Sequence, residues 1–181
     1  RFLTSHPKDL SYRLIETVRS ADKVCEHFHL PAQSGSNRLL EIMNRRYTRE
    51  RYLELVGAIK QAIPGAAITT DIITGFPGET EQDFNQTLDL VEKARFDNAF
   101  TFIYSPRKGT RAAEMKNNLS VAEKKRRLQI ISKAQNQVSL ETNRTLIGTT
   151  VEVLVEGASK YNPEMQTGRT RSNKLVHFPA D

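Results

Sequence analysis

Thiols are nearly absent from this sequence: Cys25 is the single cysteine in 181 residues. That excludes an internal disulfide framework and fits a reducing cytoplasm. Cys25 falls within a stretch, Val24 to Leu30, that reads as a strand, so its expected place is in the core. Long apolar runs are also missing, so no segment reaches membrane-spanning length, and nothing at the start resembles a signal peptide. His6 and His29 share no metal-ligand spacing with other residues. No Gly-Lys-Ser/Thr follows the glycine-rich turn at 75–78, which excludes a Walker phosphate loop. The chain opens on Arg1 and its first strand starts abruptly, which leads to the expectation of a piece of a longer protein.

What is present is concentrated in residues 68–80, ITTDIITGFPGET. Ile68, Thr69, Thr70, Ile72, Ile73 and Thr74 favour a strand buried on both faces of a parallel sheet. Gly75 and Gly78 bracket Phe76-Pro77, making a tight turn whose backbone a ligand can approach closely. Thr80 and Asp83 have capping-box spacing, with Glu79 and Glu81 where a helix N-terminus favours negative charge. Phe84, Leu88 and Val91 then mark a helix face.

The neighbouring segments repeat this alternation. Phe2-Leu3-Thr4 reads as a strand end and is followed by a helix carrying Leu10, Leu14, Ile15 and Val18. The strand at 24–30 closes on Pro31 and Gln33-Ser34-Gly35-Ser36. After Leu39, Leu40 and Met43, a longer helix presents Tyr52, Leu53, Val56, Ile59 and Ile63, and stops at Pro64-Gly65. A fourth strand, Ala99 to Tyr104, ends at Ser105-Pro106. Strands separated by helices imply an α/β fold with a parallel sheet whose polar strand ends carry the site.

Charge is uneven. The chain carries 27 Lys and Arg against 21 Asp and Glu, a net +6. Between Ser105 and Lys133, nine basic residues stand against Glu114 and Glu123 alone. Such a block is either a solvated helix face or a surface for a polyanion such as RNA. Ser120 and Glu123 have capping-box spacing before a helix through Leu128, Ile131, Gln135 and Val138. Its first turns hold Lys124 to Arg127, against the helix dipole, so local stability does not explain them. Beyond Gly148 the pattern turns β: Val151, Val153 and Val155 alternate with Glu152 and Leu154, and Gln166 to Phe178 forms a second β stretch. Residues 1–145 are expected to form the α/β unit and residues 146–181 the start of a small, incomplete β-barrel.

Five motifs in order, SHPKD at 5–9, HLPAQSGS at 29–36, MNRRYTRE at 43–50, DIITGFPGET at 71–80 and FIYSPRKGT at 102–110, resemble those of the radical-SAM methylthiotransferases. The wording is most similar to the branch that adds a methylthio group to carbon 2 of isopentenylated adenosine beside the tRNA anticodon. Sister enzymes acting on threonylcarbamoyl-adenosine or on a ribosomal-protein aspartate, and a non-catalytic RNA-binding module, are the alternatives. The tail from Thr149 resembles the TRAM domain, an RNA-binding β-barrel. The resemblance implies a partial parallel (β/α) radical-SAM barrel, S-adenosylmethionine as cofactor, two [4Fe-4S] clusters, tRNA (its anticodon stem-loop) as substrate, an electron donor such as flavodoxin or ferredoxin, and a cytoplasmic location. It implies cluster cysteines upstream of Arg1, since none of the family's cluster ligands matches a residue here, and a catalytically inactive isolated piece.

Carried onto matching positions, the resemblance places Gln33 and Ser34 at the ribose or methionyl end of the cofactor, and Gly75, Phe76 and Pro77 beside its adenine. Asp71 and Glu79 are polar groups near the same mouth, and Arg45 or Arg46 neutralises the carboxylate. For RNA, Arg107, Lys108 and Arg111 would meet phosphates near the barrel mouth, while Arg169, Arg171 and Lys174 grip the backbone and Tyr161 or Phe178 stacks on a base. Charge reversal at Arg169 and Arg171 in the complete enzyme is expected to weaken tRNA binding and flatten its salt dependence in titrations at several ionic strengths. Unchanged affinity and slope would remove that assignment.

Overall fold

The structure is a computed structural model that describes residue 2, residues 5–160 and residues 162–179. Leu3 and Thr4 of the expected first strand, and Tyr161, lie outside the described residues. The elements in order are α1 (Tyr12–Ser20), β1 (His27–His29), α2 (Asn37–Ile42), α3 (Arg49–Ala62), β2 (Ala67–Thr74), α4 (Glu81–Ala94), β3 (Asn98–Ile103), α5 (Arg111–Glu114), α6 (Val121–Arg144), β4 (Val153–Ala158), β5 (Met165–Thr170) and β6 (Leu175–Pro179).

The first three strands form a parallel sheet in the order β1-β2-β3, with Phe28 beside Ile68 and Asp71 beside Phe100. Parallel neighbours need crossovers, and α3 and α4 supply them. Tyr52, Leu55, Val56 and Ile59 on α3, with Phe84, Leu90 and Val91 on α4, pack with Leu30, Ile68 and Ile72 into one apolar core. Burial of that apolar surface is the main force holding helices to sheet. Along β2 the residues from Ala67 to Thr70 are buried on both faces, but Asp71 and Ile73 are half-open. Double-faced burial thus holds for the first half of the strand and gives way where its end meets a cleft. On β3 the alternation is sharper: Phe100 and Phe102 are 50% and 52% exposed on the face opposite the helices.

Cys25 departs from its expected core position. It precedes β1 and is half-buried, because the regular strand begins only at His27.

Helix α6 is anchored by a stripe of Arg127, Ile131, Gln135 and Val138, spaced to return to one face. Gln135 donates to the Phe96 carbonyl at 2.8 Å, and Ser139 donates to the Asp97 carbonyl at 2.8 Å. Beyond α6, β4, β5 and β6 form a separate antiparallel sheet, with a bulge at Val155–Gly157 where Gly157 takes φ +129°. The β5–β6 turn at 171–174 docks on the parallel unit. Arg171 makes a two-pronged pair with Glu26 at 2.8 and 2.7 Å and caps the Val24 carbonyl, while Lys174 meets Asp97 at 2.8 Å.

Gly35 sits where the loop after β1 crosses α4. A side chain there would press on the backbone of Gln86 and Thr87, its Cβ only 2.6 Å from the Thr87 Cα. Gly35→Ala is therefore expected to lower stability by about 1–3 kcal/mol in denaturant titration, the usual cost of overpacking. Gly65→Ala, with open space at its Cβ, serves as the control.

Candidate functional site

The β2–α4 turn is built around the Gly75 peptide. Gly75 has φ +71°, a left-handed conformation that suits glycine, and its N–H donates to the Glu79 carboxylate at 2.8 Å. Its carbonyl accepts from the Asn117 side chain at 2.9 Å, and a Cβ at this position would lie 2.6 Å from Lys124 Cγ. Glu79 in turn receives Arg127 of α6 at 2.9 Å, with side chains only 1% and 4% exposed. Arg127 also donates to the carbonyls of Glu79 and Thr80 and pairs with Glu81 and Glu123. Burial pushes the Glu79 carboxyl above its ordinary value, against the pull of Arg127 and the Gly75 amide. Arg127 is buried too, but its bonds to Glu123 and Glu79 outweigh that and hold its charge.

The other side of the turn is tied to the loop after β1 by Asp83. The expected capping box forms: Thr80 N–H donates to Asp83 at 2.8 Å, and the Thr80 hydroxyl accepts from Asp83 N–H at 3.2 Å. Asp83 also accepts from Ser36 at 2.5 Å and pairs with Arg38. Burial opposes this charge, yet Arg38, Ser36 and Thr80 together hold the Asp83 carboxyl well below the usual carboxylate range.

Between these braces, at the carboxyl ends of β1, β2 and β3, lies a cleft of about 570 Å³ lined by Gln33, Met43, Arg45, Asp71, Ile73, Phe76, Phe102, Tyr104, Ser105 and Arg107, among others. Gln33 extends the parallel pairing past β1, its N–H donating to the Asp71 carbonyl at 2.8 Å while its own carbonyl accepts from Ile73. It does so with φ +63°. Arg45 rests on Tyr47, 5.6 Å from the ring centroid, and its guanidinium reaches the Pro31 carbonyl at 3.3 Å. Phe76 and Tyr104 meet edge to face at 5.0 Å. The Tyr104 hydroxyl is buried and has no hydrogen-bond partner among the described residues. Asp71 faces His29 at 3.4 Å, and His29 also bonds the Thr69 hydroxyl at 2.9 Å.

The structure therefore brings together Gln33, Arg45, Asp71, Phe76 and Arg107 on one cleft. It sets Ser34, Gly75, Pro77 and Glu79 behind it. Ser34 is buried against Thr87 and accepts from Ser36, and Glu79 points inward to Gly75 and Arg127, so both act on loop shape rather than lining the space. Arg46 is exposed and off the cleft, its guanidinium 3.4 Å from Asn44. Lys108 and Arg111 are exposed near the same end. Arg171 and Lys174 are engaged in docking the second sheet, whereas Arg169 keeps only a 3.6 Å approach to Glu156 and a bond to the Asn173 carbonyl. Phe178 is half-buried within β6. Tyr104 and Asn117 were not among the sequence-derived candidates. Tyr104 lay within a quoted motif, but an unpartnered hydroxyl leaves no mark in sequence.

A model of the radical SAM superfamily matches residues 2–91. Over all 181 residues the chain is 58% identical to tRNA-2-methylthio-N(6)-dimethylallyladenosine synthase from Moorella thermoacetica and 59% identical to the protein of that name from Acetivibrio thermocellus, covering 41% and 38% of those proteins. Over 178 residues, 98% of the chain, it is 57% identical to the counterpart from Desulforamulus reducens and covers 39% of it. The chain thus spans about two fifths of the length of the curated relatives it matches. Its fold is similar to that of coproporphyrinogen III oxidase from Escherichia coli, described as a radical SAM enzyme, with a TM-score of 0.55 and 19% identity over 81% of this chain and 31% of that one.

Removing Arg127 would leave Glu79 buried without its partner. Arg127→Leu is expected to cost about 3–5 kcal/mol in denaturant unfolding, and the double replacement with Glu79→Leu to recover much of it. Arg126→Leu, at an exposed pair, is the control with little effect.

Proposed function

The chain belongs to the radical SAM superfamily, and from that premise we propose that it forms the S-adenosylmethionine-binding part of a tRNA methylthiotransferase acting at carbon 2 of isopentenylated adenosine beside the anticodon. The observation that carries the reading is the cleft at the strand ends, where two cations, Arg45 and Arg107, one carboxylate, an aromatic wall and a buried hydroxyl without a partner among the described residues converge. Sites for small cofactors are typically mostly apolar clefts of ~300–1,000 Å³ with a few placed polar groups.

The residues fit S-adenosylmethionine. Arg45 would meet the methionyl carboxylate, Gln33 and Asp71 the ammonium and ribose hydroxyls, and Phe76 and Tyr104 the adenine, with the Tyr104 hydroxyl gaining a partner. Bound there, the cofactor supplies a reductively cleaved sulfonium and with it hydrogen abstraction from the substrate. The chain's own contribution is to hold the adenine side rigid through Gly75, Glu79 and Arg127, to exclude water with Phe76 and Tyr104, and to meet phosphates of the RNA at Arg107, Lys108 and Arg111. An iron–sulfur cluster does not fit: the described residues contain one cysteine and no group of three or more His, Cys, Asp or Glu able to hold a metal ion. The two [4Fe-4S] clusters, and the flavodoxin or ferredoxin that would reduce them, accordingly belong to the complete enzyme. Residues 146–181 would be its RNA-gripping unit and the cytoplasm its place. None of the helices among the described residues is long and apolar enough to cross a membrane.

In the complete, cluster-reconstituted enzyme, Arg45→Ala is expected to weaken S-adenosylmethionine binding about tenfold or more, the loss of a charge-assisted contact, while Arg46→Ala leaves it unchanged. Calorimetric titration reads the affinity. Mass spectrometry of nucleosides from treated tRNA should show the methylthio group on the isopentenylated adenosine. A product on threonylcarbamoyl-adenosine, or none, would overturn the substrate.

A further inference from the structure

A second cleft, of about 670 Å³, opens where the start of β3, the last third of α6 and the β5–β6 turn meet. Its lining is unlike that of the first. Four asparagines contribute to it: Asn98 at the head of β3, Asn136 and Asn143 on α6, and Asn173 in the turn. None of their side-chain amides has a hydrogen-bond partner among the described residues, so each offers both a donor and an acceptor. Phe100 lies among them, half-exposed and touched edge-on by the His29 ring at 6.1 Å. Arg169 borders the same space, its five donors engaged among the described residues only by a 3.6 Å approach to Glu156 and a 3.2 Å bond to the Asn173 carbonyl.

Beside the Lys174–Asp97 pair that also lines the cleft, paired donors and acceptors, an open aromatic ring and the Arg169 cation describe the chemistry that reads an unstacked base and its phosphate. An apolar ligand would leave the amides unmet, and a simple anion would have no use for the ring. We propose that this cleft is a subsite for one unpaired nucleotide of single-stranded RNA, its base stacked on Phe100, its edge read by the asparagines, and the adjoining phosphate at Arg169. The inference rests on the reading of the chain as part of an RNA-modifying enzyme and gives that substrate a second point of attachment, away from the cofactor cleft.

The test is a fluorescence titration of the whole chain with a short single-stranded RNA carrying 2-aminopurine, whose emission is quenched when the base stacks. Phe100→Ala is expected to weaken binding about tenfold and to remove the quench. Phe100→Tyr retains both. The pair Asn136→Ala and Asn173→Ala weakens binding several-fold, as lost base-edge bonds should. Tyr12→Ala, at an exposed ring on α1 that lines neither cleft, changes neither signal. Circular dichroism checks that each variant folds, and Phe100→Tyr separates a stacking role from a folding one. If Phe100→Ala binds and quenches like the unaltered chain, the subsite falls while RNA binding stands. If the unaltered chain binds no RNA, the reading it rests on falls with it.

Discussion

A single buried ion pair, Arg127 with Glu79, sets the shape on which the candidate cofactor cleft depends. Charges are costly to bury, so such a pair persists only where further hydrogen bonds complete it. Here they do: Glu79 holds the Gly75 amide, and Arg127 spans two carbonyls and two more carboxylates. The glycine peptide is thus fixed from both sides, its N–H by Glu79 and its carbonyl by Asn117 from far along the chain. A ligand that reads the backbone of this turn would meet it already formed, without the entropic cost of ordering a loop.

The same pair resolves an oddity of α6. Basic residues in the first turns of a helix oppose the dipole, and the pairs of Arg126 and Arg127 with Glu123 are the local return for placing Lys124 to Arg127 there. Arg127 is needed because the turn brings Glu79 and Glu81 to meet it, and Arg126 follows by pairing with Glu81 and Glu123. The block that suggests a polyanion surface is, in this part, an internal neutralisation. Asp83 completes the arrangement from the opposite side by tying Ser36 and Arg38 to the same helix start, so two motifs far apart in the chain share one polar hub.

Periodicity and caps carried most of the fold in plain view. The Thr80–Asp83 box, the α3 face and the stop at Pro64-Gly65 are local patterns, and local physics decides them. The cleft was legible only in part. Gln33, Arg45, Asp71 and Phe76 stand at strand ends, where position in the alternation is informative. Ser34 and Glu79 stand there too but face inward, and strand-end position alone does not separate a side chain that lines a space from one that braces its wall. Arg171 and Lys174 show the same limit: a basic hairpin tip looks like an RNA grip, yet Glu26 and Asp97, well over seventy positions upstream, claim both charges. Such long-range pairings have no periodic signature.

Helix α6 touches both ends of this arrangement. It begins at the Glu79 clasp and finishes beside the docked second sheet, 24 residues later, a rise of about 36 Å. Each added residue would turn everything beyond it by about 100° around the axis. Ile131, Gln135 and Val138 would leave the groove, or Arg127 would. The element therefore works as a ruler whose length is set to the residue.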